Sequence, residues 1–126
     1  MTGPHLRGNS TILLADDEAL LRELGQTILS QAGYTVVTVH RRDQLRVLLA
    51  PESTPIDLVV TDVAMPEFSG QEVAALVRAR WPKVRVIYAS GYPIDEITGI
   101  EGDAAFLQKP FTPSELMAIV REMLGA

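Results

Sequence analysis

Five short apolar runs, four of them followed by a segment of helical spacing, constrain this chain more than any other feature. The first run is Thr11–Ala15, and Leu20, Leu21, Leu24, Ile28 and Leu29 recur after it at the spacing of one helix face. Gly33 stops that helix. Residues 34–39 read as a second strand, and a short helix carrying Leu45, Leu48 and Leu49 follows it. Residues 51–55 form a proline-bounded loop, and 56–61 a third strand. Ser69 and Glu72 then make a capping box for a helix that turns Val73, Leu76 and Val77 inward and ends before Pro82. The fourth strand is 84–89 and the fifth about 104–108, with the irregular segment 93–103 between them. Thr112 and Glu115 make a second capping box, with Pro113 at the first helical position, for a last helix carrying Leu116, Ile119, Val120, Met123 and Leu124. Strands alternating with helices imply an α/β fold, a doubly wound five-stranded parallel sheet covered by helices on both faces.

Acid sits at the ends of two of these strands. Asp16, Asp17 and Glu18 follow the first, and Asp62 follows the third. In a doubly wound sheet the carboxyl ends of those strands meet at the crevice where ligands bind. Two carboxylates about 4 Å apart repel by roughly 4 kcal/mol at an effective dielectric of about 20. A hard divalent cation with oxygen ligands offsets that cost, and Mg²⁺ suits a small carboxylate cluster. A carboxylate beside such a cation is a nucleophile toward phosphorus. Acidic residues also favour helix starts, a role that fits Glu18 as well as any ligand role does. Lys109 closes the fifth strand, where it can pair with the carboxylates and an incoming phosphoryl group. Its neighbour Pro110 is a candidate for a cis peptide bond. Ser90 closes the fourth strand, and its hydroxyl is a donor for a phosphoryl oxygen, with Gly91 leaving room.

Composition narrows the function classes. A chain of 126 residues predicts one domain, with residues 1–10 as a flexible polar tail and 11–126 as the folded unit. His5, in that tail, is expected to be inert. Without cysteine there is neither a disulfide nor a thiolate metal site. A net charge of −5 makes direct nucleic-acid binding unfavourable. The basic cluster of Arg41, Arg42 and Arg46 reads as a solvated helix face. No apolar stretch is long enough to cross a membrane, and the tail lacks the apolar region of a signal peptide, so a cytoplasmic location is expected.

Asp16-Asp17 after strand one, Asp62 after strand three, Ser90 after strand four and Lys109-Pro110 after strand five together resemble the receiver domain of bacterial two-component response regulators. Met65-Pro66 and Gly70 match that family's loop after the phosphorylated aspartate. The resemblance spans about residues 11–124. The stretches 88–92 and 106–111 look like receivers of hybrid sensor kinases and some single-domain regulators, so the chain reads as either type.

The resemblance implies a flavodoxin-like receiver fold and a role for each of these residues. Asp62 accepts a phosphoryl group from a phosphohistidine on a sensor histidine kinase or histidine phosphotransfer protein. Asp17, Asp62 and the backbone carbonyl of Ala64 ligate Mg²⁺, and Asp16 holds it mainly through water. Lys109 pairs with the phosphoryl group, Ser90 moves to hydrogen-bond it, and Phe106 is the aromatic residue that responds. The chain is then a phosphoacceptor and not an enzyme with independent turnover, without direct contact to nucleic acid or membrane, and homodimers are open to it. The segment between Ser90 and Lys109 is shorter than is usual, so the family's fourth helix is expected to be short or disordered. Phe106 lacks the hydroxyl of the more familiar tyrosine, and its switching would rest on packing. Ala64 and Tyr92 fall where the family tunes phosphoryl lifetime, and they imply slow autodephosphorylation. Two rival readings are a non-phosphorylated pseudo-receiver that only binds protein and a Mg²⁺-dependent phosphohydrolase of the haloacid-dehalogenase type. That type needs Asp-x-Asp where this chain has adjacent aspartates. A dinucleotide-binding domain would need glycines after strand one, where this chain has acid.

Overall fold

Alternating apolar residues sort themselves to the two faces of a five-stranded parallel sheet in a computed structural model that describes residues 10–125. The strands are β1 (Thr11–Ala15), β2 (Thr35–Val39), β3 (Leu58–Asp62), β4 (Arg85–Ser90) and β5 (Ala105–Gln108), in the order β2-β1-β3-β4-β5. The helices are α1 (Ala19–Gln31), α2 (Arg42–Leu48), α3 (Gly70–Arg80) and α4 (Pro113–Leu124). The expected tail, residues 1–10, lies outside the described residues except for Ser10.

Period-two alternation builds two cores. Leu13 and Ala15 of β1, Val59 of β3, and Val86 and Tyr88 of β4 face α2 and α3. Ile12 and Leu14, Leu58 and Val60, and Ile87 and Ala89 point the other way, toward α1 and α4. The central strands are therefore buried on both faces, which is why they read as continuous apolar runs. Register places Ala15 beside Thr61 and Asp62 beside Ala89. The carboxyl ends of β1, β3 and β4 thus share one edge of the sheet.

Two strand ends differ from the sequence reading in a way that matters for the site. β3 runs on to Asp62 and β4 to Ser90, so both residues belong to the ladder and take their direction from it. Helix faces differ as well. Leu20 is 80% exposed, and Leu24 and Leu76 are also exposed, although all three continue the apolar spacing. Buried Gly25 takes the contact point on α1, where a Cβ would come within 2.8 Å of Leu14 Cδ2. Close backbone approach turns the flanking leucines outward.

The capping signals hold unequally. Around α4 the box is complete: Glu115 N–H donates to Thr112 Oγ1 at 3.1 Å and Thr112 N–H to Glu115 Oε1 at 2.8 Å. At α3, Ser69 Oγ accepts from Glu72 N–H at 3.1 Å, but the Glu72 carboxylate is taken by Arg42. Between β4 and β5 the only helical piece is a single 3-10 turn, Ile94–Glu96. Of the two expectations for the family's fourth helix, the short one describes this segment. Three polar contacts tie residues 98–103, between that turn and β5, to the body: Gln71 Nε2 donates to Thr98 O at 2.8 Å, Tyr88 Oη donates to Glu101 Oε1 at 2.6 Å, and Arg78 Nη2 lies 3.5 Å from Asp103 Oδ1. No helix among the described residues is long and apolar enough to cross a membrane.

Candidate functional site

β1 and β3 lie side by side, so the residues that leave their carboxyl ends converge. One carboxylate oxygen from each of Asp16, Asp17 and Asp62 lies within 4.8 Å of the other two. Asp16 is the most enclosed, at 5% exposure, and Asp17 faces solvent. Asp16 Oδ1 accepts the Glu18 N–H at 2.9 Å, at the mouth of α1, and its own carbonyl accepts from Arg22 Nη1 at 2.7 Å. Glu18 is the residue at the start of α1, but its side chain makes no capping bond.

Lys109 reaches the cluster from 93 residues away in sequence. Its Nζ donates to Asp16 Oδ2 at 3.0 Å and lies 3.5 Å from Asp62 Oδ1 and 3.6 Å from Glu18 Oε1. The Lys109–Pro110 peptide is cis, as the tight turn suggests. Burial opposes the charge on Lys109, but the bond to Asp16 and the fields of Asp16, Asp62 and Glu18 outweigh it, and its pKa lies above the usual lysine value. Asp62 moves the same way for a different reason. Burial raises its pKa to about 6; Lys109 opposes the rise, and Asp16 and Asp17 add to it. Three carboxylates against one ammonium leave the cluster short of positive charge.

This donor set fits a hard cation. It is all oxygen, it carries excess negative charge, and its spacing allows one ion to touch all three carboxylates. Ala64 lies in the loop directly after β3, where it bridges Ser69 in antiparallel fashion. Gly70 N–H donates to Val63 O at 2.8 Å and closes the neck of that loop. The glycine at this position is required by space, because a Cβ there would run into the Asp62 carbonyl oxygen.

Ser90 is buried at the end of β4, and its Oγ accepts the Tyr92 N–H at 3.0 Å. With Val63, Ala64, Gln71 and exposed Tyr92 it lines an open cavity of about 390 Å³. Phe106 is half-buried on β5, next in register to Tyr88, and packs on the core under α3. Every residue expected at the site thus lies at one end of the sheet or on the strand leading to it.

Two groups near the site escape sequence reasoning. Arg42 belongs to the cluster expected as a solvated face, but its Nε and Nη2 each meet a Glu72 carboxylate oxygen at 3.1 Å and its guanidinium lies 5.5 Å from the Phe68 ring centroid. Tyr88, fully buried, holds Glu101 with its hydroxyl, and burial and that bond push its pKa above the usual range. No local spacing marks either pair, because the partners are 30 and 13 residues apart.

The chain as a whole is similar to known proteins. The family model for the response regulator receiver domain matches residues 12–121. Among curated relatives, a sensor kinase CckA from Brucella abortus (strain 2308) is 34% identical over 94% of this chain, which spans 13% of that kinase. A probable transcriptional regulator ycf27 from Guillardia theta is 35% identical over 94% of this chain, which spans 47% of that regulator. The chain therefore spans less than half of each. Among solved structures, a response regulator receiver protein from Sinorhizobium medicae WSM419 superposes with a TM-score of 0.82 at 33% identity, covering 94% of this chain and 96% of that one. The receiver domain of the hybrid histidine kinase CckA superposes with a TM-score of 0.76 at 27% identity, covering 91% and 99%. A parallel sheet of order 2-1-3-4-5, acid at the ends of its first and third strands and a lysine brought to them from its fifth agree with the match to residues 12–121, and this chain belongs to the response regulator receiver domain family of two-component signalling.

Proposed function

We propose that Asp62 is the phosphoacceptor of this receiver domain and that Asp17, Asp62 and the Ala64 carbonyl hold Mg²⁺, with Asp16 acting on the ion mainly through water. The observation that carries the reading is the meeting of three carboxylate oxygens within 4.8 Å with the Lys109 ammonium 3.5 Å from Asp62. Mg²⁺, when bound, neutralises charge on the phosphoryl oxygens. An Asp62 oxygen attacks phosphorus, the phosphorus–nitrogen bond of the donor phosphohistidine breaks, and the imidazole nitrogen keeps the bonding pair. The donor is a sensor histidine kinase or a histidine phosphotransfer protein. The receiver unit begins at Thr11.

Phosphorylation brings a charge of about −1.5 to −2 and three acceptor oxygens. Lys109 turns from Asp62 to the phosphoryl group. Ser90 gives up the Tyr92 N–H and donates its hydroxyl to a phosphoryl oxygen. Phe106 then repacks into the space Ser90 leaves. Such a change carries a signal only if a partner prefers one of the two states. No independent substrate turnover is expected.

The test is incubation with acetyl phosphate and Mg²⁺, followed by intact mass, with Asp62→Asn as control. A Mg²⁺-dependent gain of one phosphoryl group, absent from the variant, is the expected result. No gain from acetyl phosphate or from a phosphohistidine donor would favour a protein-binding module without phosphorylation. Ala64 has no side chain with which to position a hydrolytic water, so the aspartyl phosphate should decay slowly. A half-life of seconds in Mg²⁺ would contradict that.

A further inference from the structure

The loop that carries Ala64 has a closed neck and a tip that needs support from outside. Val63 and Gly70 close the neck through the backbone, with Ala64 bridged to Ser69. Met65 and Phe68 anchor the tip by burying their side chains in the core under α2 and α3. Arg42, the first residue of α2, supplies the polar anchorage. Its backbone N–H donates to Glu67 Oε1 at 2.6 Å, and its Nη2 donates to the Glu67 carbonyl at 3.1 Å. The guanidinium lies over Phe68, 5.5 Å from the ring centroid. The fork of Nε and Nη2 grips the Glu72 carboxylate in the first turn of α3. One planar cation therefore ties the start of α2 to the loop tip and to the start of α3.

We propose that Arg42 is a positioning residue for the phosphoacceptor site, clasping Glu67, Phe68 and Glu72 so that the loop presents the Ala64 carbonyl to the divalent cation. This rests on the reading of Asp62 and its cation given above. A backbone carbonyl contributes to a cation site only while its loop is ordered, and ordering costs conformational entropy at each residue. Arg42 meets that cost before the cation arrives. Without it, Glu67 and Glu72 lose a shared cation and the tip keeps only its apolar anchors. Asp62 stands on β3 and Asp17 two residues after β1, outside the loop that Arg42 holds. Loss of Arg42 should therefore weaken cation binding and leave phosphoryl transfer intact once the cation is saturating. A lysine offers one point charge where the fork makes several directed bonds, so it should restore little.

The experiment measures Mg²⁺ binding by calorimetry for the wild-type chain, Arg42→Ala, Arg42→Lys, Glu72→Gln and the double variant R42A/E72Q. Unfolding midpoints in EDTA and acetyl phosphate transfer rates at saturating Mg²⁺ accompany it. Arg42→Ala is expected to weaken Mg²⁺ binding by about tenfold, the lower range for losing an outer support of a metal site. Glu72→Gln should weaken it in the same direction, the double variant should be no worse than Arg42→Ala, and the transfer rate at saturation should stay near wild type. A purely structural role would lower the unfolding midpoint and leave Mg²⁺ affinity unchanged, and that result overturns the proposal. Additive losses in the double variant overturn it too. If Arg42→Ala does not fold, Arg42→Lys and Glu72→Gln carry the same comparison. Failure of the wild-type chain to bind Mg²⁺ overturns the underlying reading as well, whereas normal binding by wild type and variants alike overturns only the role of Arg42.

Discussion

Asp57 and Asp62 lie at opposite ends of β3 and meet opposite fates. Asp57 Oδ2 accepts the Thr11 N–H at 2.8 Å, its own N–H donates to Thr11 O at 2.9 Å, and its carbonyl accepts from Arg85 N–H at 3.2 Å. It faces solvent and stitches the amino ends of β1, β3 and β4 together. Asp62, five residues on, is enclosed with two further carboxylates and one lysine, and burial pushes its pKa up to about 6. The same side chain is a fastener where water and a backbone donor satisfy it, and a reactive group where neighbours of like charge and burial do not. The difference comes from the sheet. Strand order 2-1-3-4-5 brings Asp16, Asp17 and Lys109 to the carboxyl end of β3, whereas at the amino end backbone groups of Thr11 and Arg85 meet Asp57.

The largest contrast should be in chemistry. Asp62→Asn should abolish Mg²⁺-dependent phosphorylation while Asp57→Asn leaves it unchanged, as read by intact mass after acetyl phosphate treatment. Phosphorylation of Asp57 instead would break the comparison. Next comes the cation that makes the Asp62 end tolerable. Lys109→Ala leaves Asp16 and Asp62 enclosed without it, and the metal-free protein should lose about 3 kcal/mol at pH 7 in urea unfolding. Some phosphorylation should survive in that variant, with the conformational response uncoupled from it.

The folded-state pKa of Asp62 lies above its ordinary 3.8, at about 6, so the folded protein holds the proton more tightly than the unfolded chain does. Its contribution to stability is therefore greatest below about pH 4 and is lost as pH rises through about 6. Asp62→Asn should remove this loss, raising metal-free stability at pH 7 by about 2 kcal/mol relative to wild type. Unfolding curves in EDTA across that window check it; equal slopes for wild type and variant would contradict it. The smallest effect belongs to the other end of the strand. Asp57→Ala should cost about 1 kcal/mol through the lost acceptor for Thr11, with Mg²⁺ affinity unchanged.

Much of the fold and of the site is legible in the chain alone. Short continuous apolar runs place the strands to within two residues, because a central strand buried on both faces must be apolar on both. Capping boxes mark the starts of α3 and α4, because the first N–H groups of a helix need acceptors nearby. Adjacent aspartates after one buried strand and a third after another point to the site, since charge of one sign at a sheet end calls for a counter-ion. Leu20, Leu24 and Leu76 mislead for an equally physical reason. Helical spacing tells which residues share a face, but the depth at which a helix docks is set by its closest point, here Gly25 against Leu14 on α1.

Local spacing along the chain sets the alternation of strand and helix, the two-faced burial of the central strands and the identity of the charged groups at their ends. Folding preserves that spacing. Which charges answer which depends on the packed fold. Lys109 Nζ lies nearer Asp16 than Asp62, Glu72 turns from its helix cap to Arg42, and the Tyr88 hydroxyl is spent on Glu101, holding down a segment with only a single 3-10 turn of its own. Each is a choice between competing partners far apart in the chain, settled by which groups the packed sheet and helices leave within a hydrogen bond of one another.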